Sequence, residues 1–340
     1  MMVMMGPVRW AYKTSRNLFG GALDVFTHAI HGDSDIAKTV VISGVPRGGT
    51  TWFLNILQTL PGYRSIFEPL HKKWFPELQK RRWISRVYLP PERRDPELED
   101  YLSRVFKGNV MSFHAHYSIR PGTISKFVVG RNVVVKFIRA NRLLPWIHSH
   151  FNLRGTYLLI RHPCAVVASQ VESGIRGYSY HRDRPLPKEF LLNEAERIQE
   201  IRENRWLMRK LKNLNTHVGV LAAIWAIDQY VPLSYLSRHP DAWYVAVYER
   251  LVVDFTNEVK RIFEYIGEDV PSAAYDLYHR PSRTTRDYRY VGTKKQLLKW
   301  KEKLSERQVE EVLRVIGWFG IDFYNQNPEP DYDALRRWSQ

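Results

Sequence analysis

The sequence predicts a single α/β domain with a central, mostly parallel sheet of about five strands, flanked by helices and with helical insertions over the active site. Two observations predict it. Short apolar runs alternate with helical stretches along most of the chain. Several runs are almost wholly apolar, which is typical of strands buried on both faces of a parallel sheet. We expect this domain at 38–324, a helical extension at 1–37 and a loose surface tail at 325–340.

The predicted strands are the apolar, β-rich runs at 39–43, 65–68, 133–138, 156–160 and 243–247. Helices are expected between them, at 51–60, 97–106, 142–151, 164–173, 189–213 and 255–266. Gly267 stands just after the last of these, in the position that glycine favours beyond a helix end. A final helix should start at Ser305, because Ser305 and Gln308 have the spacing of a capping box.

The composition is that of a folded protein with an excess of positive charge. The 340 residues include 51 Lys and Arg against 35 Asp and Glu, a net charge of +16, and 44% of them are hydrophobic. These values exclude a disordered or collagen-like chain. A single cysteine, Cys164, excludes a disulfide framework. A basic surface attracts anions, which include nucleic acid, membrane phosphates and phosphorylated small molecules.

The N-terminal stretch leaves two interpretations open. The sequence has no apolar segment of the roughly 18 residues that a membrane span needs. The first residues also lack the apolar segment of a secretory signal, so a cytoplasmic protein is expected. The stretch 8–26 mixes Arg9, Lys13 and Arg16 with aromatic and aliphatic residues. Such a pattern fits a helix packed on the domain, and it also fits a basic amphipathic helix in peripheral contact with a membrane.

The most informative segment is a glycine-rich loop between the first predicted strand and a helix. Gly44 and Gly49 have the spacing of a Walker A loop, but Thr50 stands where a nucleotide triphosphatase needs lysine. The cation lies inside the loop instead, as Arg47. A later strand ends in Arg161, where Mg²⁺ chemistry normally uses an acidic residue. The pattern predicts an anionic donor that is handled without a metal ion, and a nucleotide or small-molecule kinase is the alternative.

Two motifs give the chain a resemblance to a known family. The segment VPRGGTTW resembles the 5′-phosphosulfate loop of sulfotransferases, which use 3′-phosphoadenosine 5′-phosphosulfate (PAPS) as donor. The family pattern falls on Pro46, Arg47, Gly48, Gly49, Thr50 and Thr51. The segment RHPCAVVAS resembles the 3′-phosphate motif of the same family, through Arg161, Pro163 and Ser169. The resemblance implies a P-loop-like fold and a nucleotide donor.

Two weaker matches lie further along the chain. Tyr248 and Glu249 follow a late strand and are similar to a Tyr-Glu segment of the family, where we expect structural roles. The basic run at 280–305 resembles the C-terminal loop that covers the nucleotide, but it lacks the Arg-Lys-Gly signature of the small-molecule branch. Arg283 and Lys294 are the candidate nucleotide contacts in this run. A solvated basic face is the alternative.

The resemblance implies a reaction as well as a donor. An acceptor hydroxyl attacks the sulfuryl group in line while the adenosine bisphosphate leaves, so the protein mainly positions groups and stabilises charge. Arg47 is the candidate for stabilising the leaving group. The loop amides of Gly48 and Gly49 with Thr50 and Thr51 would hold the 5′-phosphate. Trp52 would stack on adenine, and a core aromatic is the alternative.

A general base is expected at the end of the second strand. Glu68 stands there in a Phe-Glu-Pro sequence, as in carbohydrate and tyrosylprotein sulfotransferases. Lys136 and Arg139 leave a third strand at the same edge, and Lys136 is expected to be catalytic by binding the sulfuryl group or an anionic acceptor; a surface pair is the alternative. The resemblance implies a base role for Glu68 and an acceptor that is a glycan or glycolipid hydroxyl. The alternatives are that Glu68 only pairs with a cation, and that His114 or His116 is the base. The segment 71–94 is expected to form part of the acceptor lid.

The remaining alternative is a protein that binds nucleic acid or an anionic membrane, as the charge permits. No helix-turn-helix, zinc-finger or RNA-recognition signature is present in the sequence, so no specific nucleic acid is expected.

Overall fold

A five-stranded, all-parallel sheet forms the centre of the molecule. The computed structural model describes residues 32–72, 75, 78, 86–110, 130–172, 186–282, 285 and 290–338. The strands are β1 (Val40–Gly44), β2 (Tyr63–Phe67), β3 (Asn132–Phe137), β4 (Gly155–Ile160) and β5 (Tyr244–Val247). Their order is β2-β3-β1-β4-β5, and every pairing is parallel. Each overlaps a predicted strand, and the predicted fold class is confirmed.

The strand order places the glycine-rich loop at the middle of the sheet. β1 is the central strand and has β3 and β4 as its neighbours. All residues of β1, β2 and β4 are buried. The sequences of β1 and β4 are largely apolar, whereas β2 buries Arg64, which donates to the carbonyls of Gly130 and Gly108. In such a sheet the loops at the carboxyl ends of the strands converge where the strand order reverses, and ligands collect there. The residues after β1, β2, β3 and β4 therefore share one edge.

Helices cover both faces of the sheet. In chain order they are α1 (Thr50–Leu57), α2 (Pro96–Phe106), α3 (Leu144–His150), α4 (Pro163–Glu172), α5 (Lys188–Glu196), α6 (Gln199–Glu203), α7 (Arg205–Lys212), α8 (His217–Leu236), α9 (Tyr248–Val253), α10 (Phe255–Tyr265), α11 (Ser272–Tyr275), α12 (Glu306–Gly317) and α13 (Tyr332–Arg336). The capping box of Ser305 and Gln308 is present at the start of α12. Gly267 follows α10 with a φ of 66°, as the sequence predicted.

Two stretches of helix differ from the prediction. The single helix expected at 189–213 is three helices, α5 to α7, because Asn204 starts a new one by accepting a hydrogen bond from the Leu207 amide. The long helix α8 was not predicted. It is apolar around most of its circumference and almost wholly buried, so no amphipathic period marks it. Within the described residues, no helix combines the length and apolarity needed to cross a membrane.

The C-terminal residues that the structure describes pack on the domain. Asp331 caps α13 by accepting from the amides of Asp333 and Ala334, and its own amide donates to the Phe323 carbonyl. Ala334 and Leu335 are buried in the main core. These residues do not form the loose tail that the sequence predicted. The expected extension at 1–37 falls largely outside the described residues, and the domain boundaries stay a prediction.

Candidate functional site

Two residues of the glycine-rich loop have positive φ angles, which residues with side chains rarely adopt. Arg47 has a φ of 71° and Gly49 a φ of 95°, both in the left-handed region. The Gly48 amide donates to the Val45 carbonyl at 2.9 Å, which closes the turn before α1. Two features exclude a side chain at Gly49. Its φ is positive, and a Cβ there would lie 2.5 Å from the Tyr248 ring. The loop thus presents its amides beside the start of a helix, an arrangement that suits an anion.

Hydrogen bonds join the two sequence motifs. The Arg47 Nε donates to the Ser169 hydroxyl at 2.9 Å, and an Arg161 NH group donates to the Arg47 carbonyl at 3.0 Å. The side-chain amide of Gln170 also donates to the Pro46 carbonyl at 3.0 Å. Because α4 starts directly after β4, it carries Ser169 and Gln170 to the loop that follows the adjacent strand β1. The predicted 5′- and 3′-phosphate motifs are therefore one continuous structure.

Arg161 lies in a position that suits an oxyanion. Its guanidinium carbon is 4.1 Å from the centroid of the Tyr248 ring, so one face of the guanidinium is covered. Its Nε is buried, and no described residue accepts a hydrogen bond from it. A buried donor without an acceptor is unfavourable, and a phosphate oxygen would supply the missing partner. This donor set fits the 3′-phosphate of a PAPS-like nucleotide.

Basic residues predominate around the cleft that these motifs border. The cations among the described lining residues are Arg47, Arg161, Arg280, Lys299 and Lys303. Glu172 is the one acidic residue of that lining, and it forms an ion pair with Lys303. Such a balance attracts an anionic ligand.

Neither of the two nucleotide contacts predicted in the basic run at 280–305 is among the described residues that line the cleft. Arg283 lies outside the described residues. Lys294 is exposed on the 3₁₀ helix Lys294–Leu297 and is not among the described residues that line the cleft. Lys299 and Lys303 occupy that wall instead, although the sequence analysis did not single them out. Trp300 stands between them in the sequence, is buried and lines the same cleft. No local pattern sets these two lysines apart from the other cations of the run.

Trp52 borders the cleft but is largely a core residue. It is 8% exposed, its Nε1 donates to the Leu277 carbonyl at 3.0 Å, and its ring stacks on Phe255 at 5.7 Å. These contacts correspond to the core alternative, and adenine stacking stays a prediction. Thr50 is buried and Thr51 is half-buried, at the first turn of α1.

A second cluster of charge lies at the ends of β2 and β3. Lys136 Nζ lies 2.7 Å from Glu68 Oε1, and an Arg139 NH group lies 3.5 Å from Glu68 Oε2. All three side chains are at most 8% exposed. Lys136 Nζ also lies 3.9 Å from the centroid of the Phe67 ring. Burial lowers the pKa of Lys136, and the charge of Glu68 opposes that change.

The cluster brings the two predicted catalytic residues together and gives Glu68 an ion-pair partner. Glu68 has a φ of 53°, an unusual conformation for a residue with a side chain. Its amide donates to the Lys136 carbonyl at 2.7 Å, so strand pairing continues one residue beyond β2. The cleft that Arg47, Arg161 and Trp300 line is called the nucleotide-side cleft below. Glu68 and Lys136 are not among its described lining residues. His114 and His116 lie outside the described residues, as does much of 71–94, so the alternative base and the lid stay predictions.

Glu249 is a buried acid next to the Arg161 turn. It is 1% exposed and accepts hydrogen bonds from the His162 amide and the Tyr324 hydroxyl, both at 2.9 Å. Burial raises the pKa of Glu249 to about 7, while these hydrogen bonds and the charge of Arg161 act in the opposite direction. Burial also lowers the pKa of His162 to about 4.

Comparisons with known proteins were made with the sequence and with the structure. No protein-family model and no curated protein matches the chain. The sulfotransferase domain of the Synechococcus PCC 7002 olefin synthase is similar at a TM-score of 0.44 and 16% identity, over 87% of this chain and 98% of that one. The mouse sulfotransferase SULT7A1, solved with PAP, gives a TM-score of 0.40 and 12% identity, over 85% and 87%.

A third solved structure, the sulfotransferase STF9 of Mycobacterium avium, gives a TM-score of 0.40 and 14% identity, over 94% of this chain and 87% of that one. Because the identities and TM-scores are low, what the chain does has to rest on its own residues.

Proposed function

We propose that this protein transfers a sulfuryl group from PAPS to an acceptor hydroxyl. The observation that carries the proposal is the contact between the two anion-binding motifs, in which Arg47 donates to Ser169 and Arg161 donates to the Arg47 carbonyl. A donor with phosphate groups at both ends needs two cationic sites at a fixed separation. The cleft supplies both, with cations in excess over carboxylates along its described wall.

The donor would lie with its 5′-phosphosulfate in the glycine-rich loop. The amides of Gly48 and Gly49 with Thr50 and Thr51 would hold the 5′-phosphate, beside the positive end of α1. Arg161 and Ser169 would hold the 3′-phosphate. Lys299, from the segment that carries Trp300, would add positive charge in the place predicted for Lys294, and Lys303 lies on the same wall in an ion pair with Glu172.

The reaction needs one bond made and one broken. The acceptor oxygen forms a bond to sulfur, the bond from sulfur to the phosphate oxygen breaks, and adenosine 3′,5′-bisphosphate (PAP) leaves with that electron pair. Arg47 stabilises the charge that develops on the leaving oxygen. Glu68 takes the acceptor proton, and Lys136 orients the Glu68 carboxylate through their 2.7 Å contact. The reaction as proposed uses no cofactor besides PAPS.

The acceptor is proposed to be a glycan or glycolipid. The support is the Phe-Glu-Pro sequence at Glu68, which resembles the carbohydrate and tyrosylprotein branches. The buried ion pair with Lys136 also holds the Glu68 carboxylate in one orientation. A fixed orientation suits a base that accepts a proton from a hydroxyl in a defined position.

A transfer assay tests the proposal. The purified chain is incubated with PAPS and a panel of glycans, glycolipids and tyrosine peptides, and the sulfated product and PAP are measured. We expect equal amounts of product and PAP for at least one glycan or glycolipid. Arg47→Ala should lower turnover at saturating donor, whereas Arg337→Ala, which removes an exposed cation paired with Asp322, should not. Formation of no sulfated product across the panel, together with no binding of PAP, would contradict the proposal.

A further inference from the structure

A buried hydrogen-bonded cluster joins the Arg161 turn to the C-terminal segment. Glu249 accepts from the His162 amide with one carboxylate oxygen and from the Tyr324 hydroxyl with the other, each at 2.9 Å. His162 Nε2 lies 3.0 Å from the Asn325 carbonyl oxygen, and the His162 amide belongs to the residue directly after Arg161. The cluster thus fixes the backbone from which the Arg161 side chain leaves.

The same cluster also fixes the surfaces that Arg161 contacts. Glu249 is the neighbour in sequence of Tyr248, whose ring covers one face of the guanidinium. The His162 ring stacks on Trp300 at 4.8 Å with an angle of 17° between the planes, and Trp300 lines the nucleotide-side cleft. One carboxylate therefore connects the strand ends β4 and β5, the cleft wall and the C-terminal segment.

We propose that Glu249, held by Tyr324, is a positioning residue for the 3′-phosphate of the donor: it fixes the His162 amide and so aims the Arg161 guanidinium. The inference rests on the proposed function, because it requires Arg161 to bind that phosphate. The physical reason is that a guanidinium discriminates between ligands only when its direction is fixed, since a flexible one loses entropy on binding. Two buried hydrogen bonds to one carboxylate hold the turn in a single arrangement.

Burial makes the ionised carboxylate costly at this position, as its pKa of about 7 indicates. The charged and titratable groups that act on Glu249 are Arg161 from the β4 turn and Tyr324 and Tyr332 from the C-terminal segment, and the His162 amide donates a hydrogen bond to it. Arg250 lies over the Tyr332 ring at 4.0 Å, so the C-terminal segment is held at a second point.

The experiment compares two ligands that differ only in the 3′-phosphate. Binding of PAP and of adenosine 5′-monophosphate is measured by calorimetry for the wild type, Tyr324→Phe and Glu249→Gln. We expect Tyr324→Phe to weaken PAP about threefold to tenfold, less than the loss of a hydrogen bond to a charged group of the ligand itself, because the Tyr324 hydroxyl acts on PAP only through the Arg161 turn. The affinity for adenosine 5′-monophosphate should stay at the wild-type value, because that ligand depends on the glycine-rich loop. Glu249→Gln should shift the ratio of the two affinities in the same direction.

A matched variant separates positioning from loss of stability. Tyr244→Phe removes another tyrosine hydroxyl, which donates at 3.0 Å to the buried carboxylate of Glu258 at the opposite end of β5. It should lower the melting temperature as Tyr324→Phe does and leave the ratio of the two affinities unchanged. The inference is overturned if the ratio stays at its wild-type value in both Tyr324→Phe and Glu249→Gln, or if Tyr244→Phe lowers it equally. A wild type that binds both ligands equally would instead contradict the role of Arg161 in the proposed function.

Discussion

The two charged regions at the carboxyl edge of the sheet differ in how their charges are compensated. At the ends of β2 and β3, Glu68 and Lys136 are buried and neutralise each other at 2.7 Å. Beside β1 and β4, Arg161 is part-buried and donates to a neutral oxygen, the Arg47 carbonyl, while its buried Nε has no acceptor among the described residues. A cation whose partners are neutral keeps its charge for a ligand, whereas a cation paired with a carboxylate holds that carboxylate in place. The first region is therefore held together by its own ion pairs, whereas the second keeps a donor that an anionic ligand can use.

The largest effect should come from the carboxylate of the paired region. Glu68→Gln keeps the shape of the side chain and removes its capacity as a base. We expect turnover to fall by about 10² to 10⁴, the usual effect of losing a general base. Donor affinity should stay close to the wild-type value, because the nucleotide-side cleft does not change. Steady-state transfer and PAP calorimetry measure the two quantities. A near wild-type turnover would place the base elsewhere, and His114 and His116 would be tested next.

The second effect concerns stability and separates the two regions directly. Lys136→Met removes one partner of a buried ion pair and leaves Glu68, among the described residues, with the longer Arg139 contact. We expect a loss of about 3–5 kcal/mol in the free energy of unfolding, the range for breaking a buried pair. Denaturant unfolding measures it.

Arg161→Met is the matched variant, because it removes a cation of similar length from the nucleotide-side cleft. It should change stability less, because its hydrogen-bond partner is the neutral Arg47 carbonyl, and Glu249, on which its charge acts, keeps the hydrogen bonds from the His162 amide and the Tyr324 hydroxyl. Equal losses for the two variants would contradict the distinction between a paired and a ligand-directed region.

The third effect concerns affinity. Arg161→Ala should weaken binding of PAP by about 1.5–3 kcal/mol, the range for a hydrogen bond to a charged group. Turnover at saturating donor should change less than the affinity does, because the 3′-phosphate is remote from the bond that breaks. Titration calorimetry with PAP checks the affinity. An unchanged affinity would mean that the 3′-phosphate lies elsewhere.

The smallest expected effect is that of removing divalent metal ions, which should leave turnover unchanged. The reason lies in the sequence, where Thr50 replaces the Walker lysine and Arg161 stands where a carboxylate would hold Mg²⁺. Transfer is measured with and without an excess of chelator. Complete loss of activity that Mg²⁺ restores would favour the kinase alternative.

The centre of the sheet was predictable because β1 and β4 are buried on both faces and are therefore largely apolar runs. The meeting of Arg47, Arg161 and Ser169 was also predictable, since each follows a neighbouring parallel strand. The helix His217–Leu236 was not, because burial around its whole circumference removes the amphipathic period that marks a surface helix.

The limits at the site have a similar cause. Lys299 and Lys303 belong to a run of many cations, and only the packing of Trp300 decides which of them turn towards the cleft. The pairing of Glu68 with Lys136 depends on the register of β2 against β3, where Phe67 lies opposite Lys136. Neither register nor packing is encoded in the local sequence. The Glu249–Tyr324 contact joins residues 75 positions apart and has no local signal either.

A crystal structure with PAP tests the central claim most directly. The account predicts that the 3′-phosphate contacts the Arg161 guanidinium and the Ser169 hydroxyl, and that the 5′-phosphate contacts the loop amides before α1. Glu68 and Lys136 should remain paired and free of the nucleotide. PAP bound with its 3′-phosphate away from Arg161, or bound against the Glu68–Lys136 pair, would contradict the account.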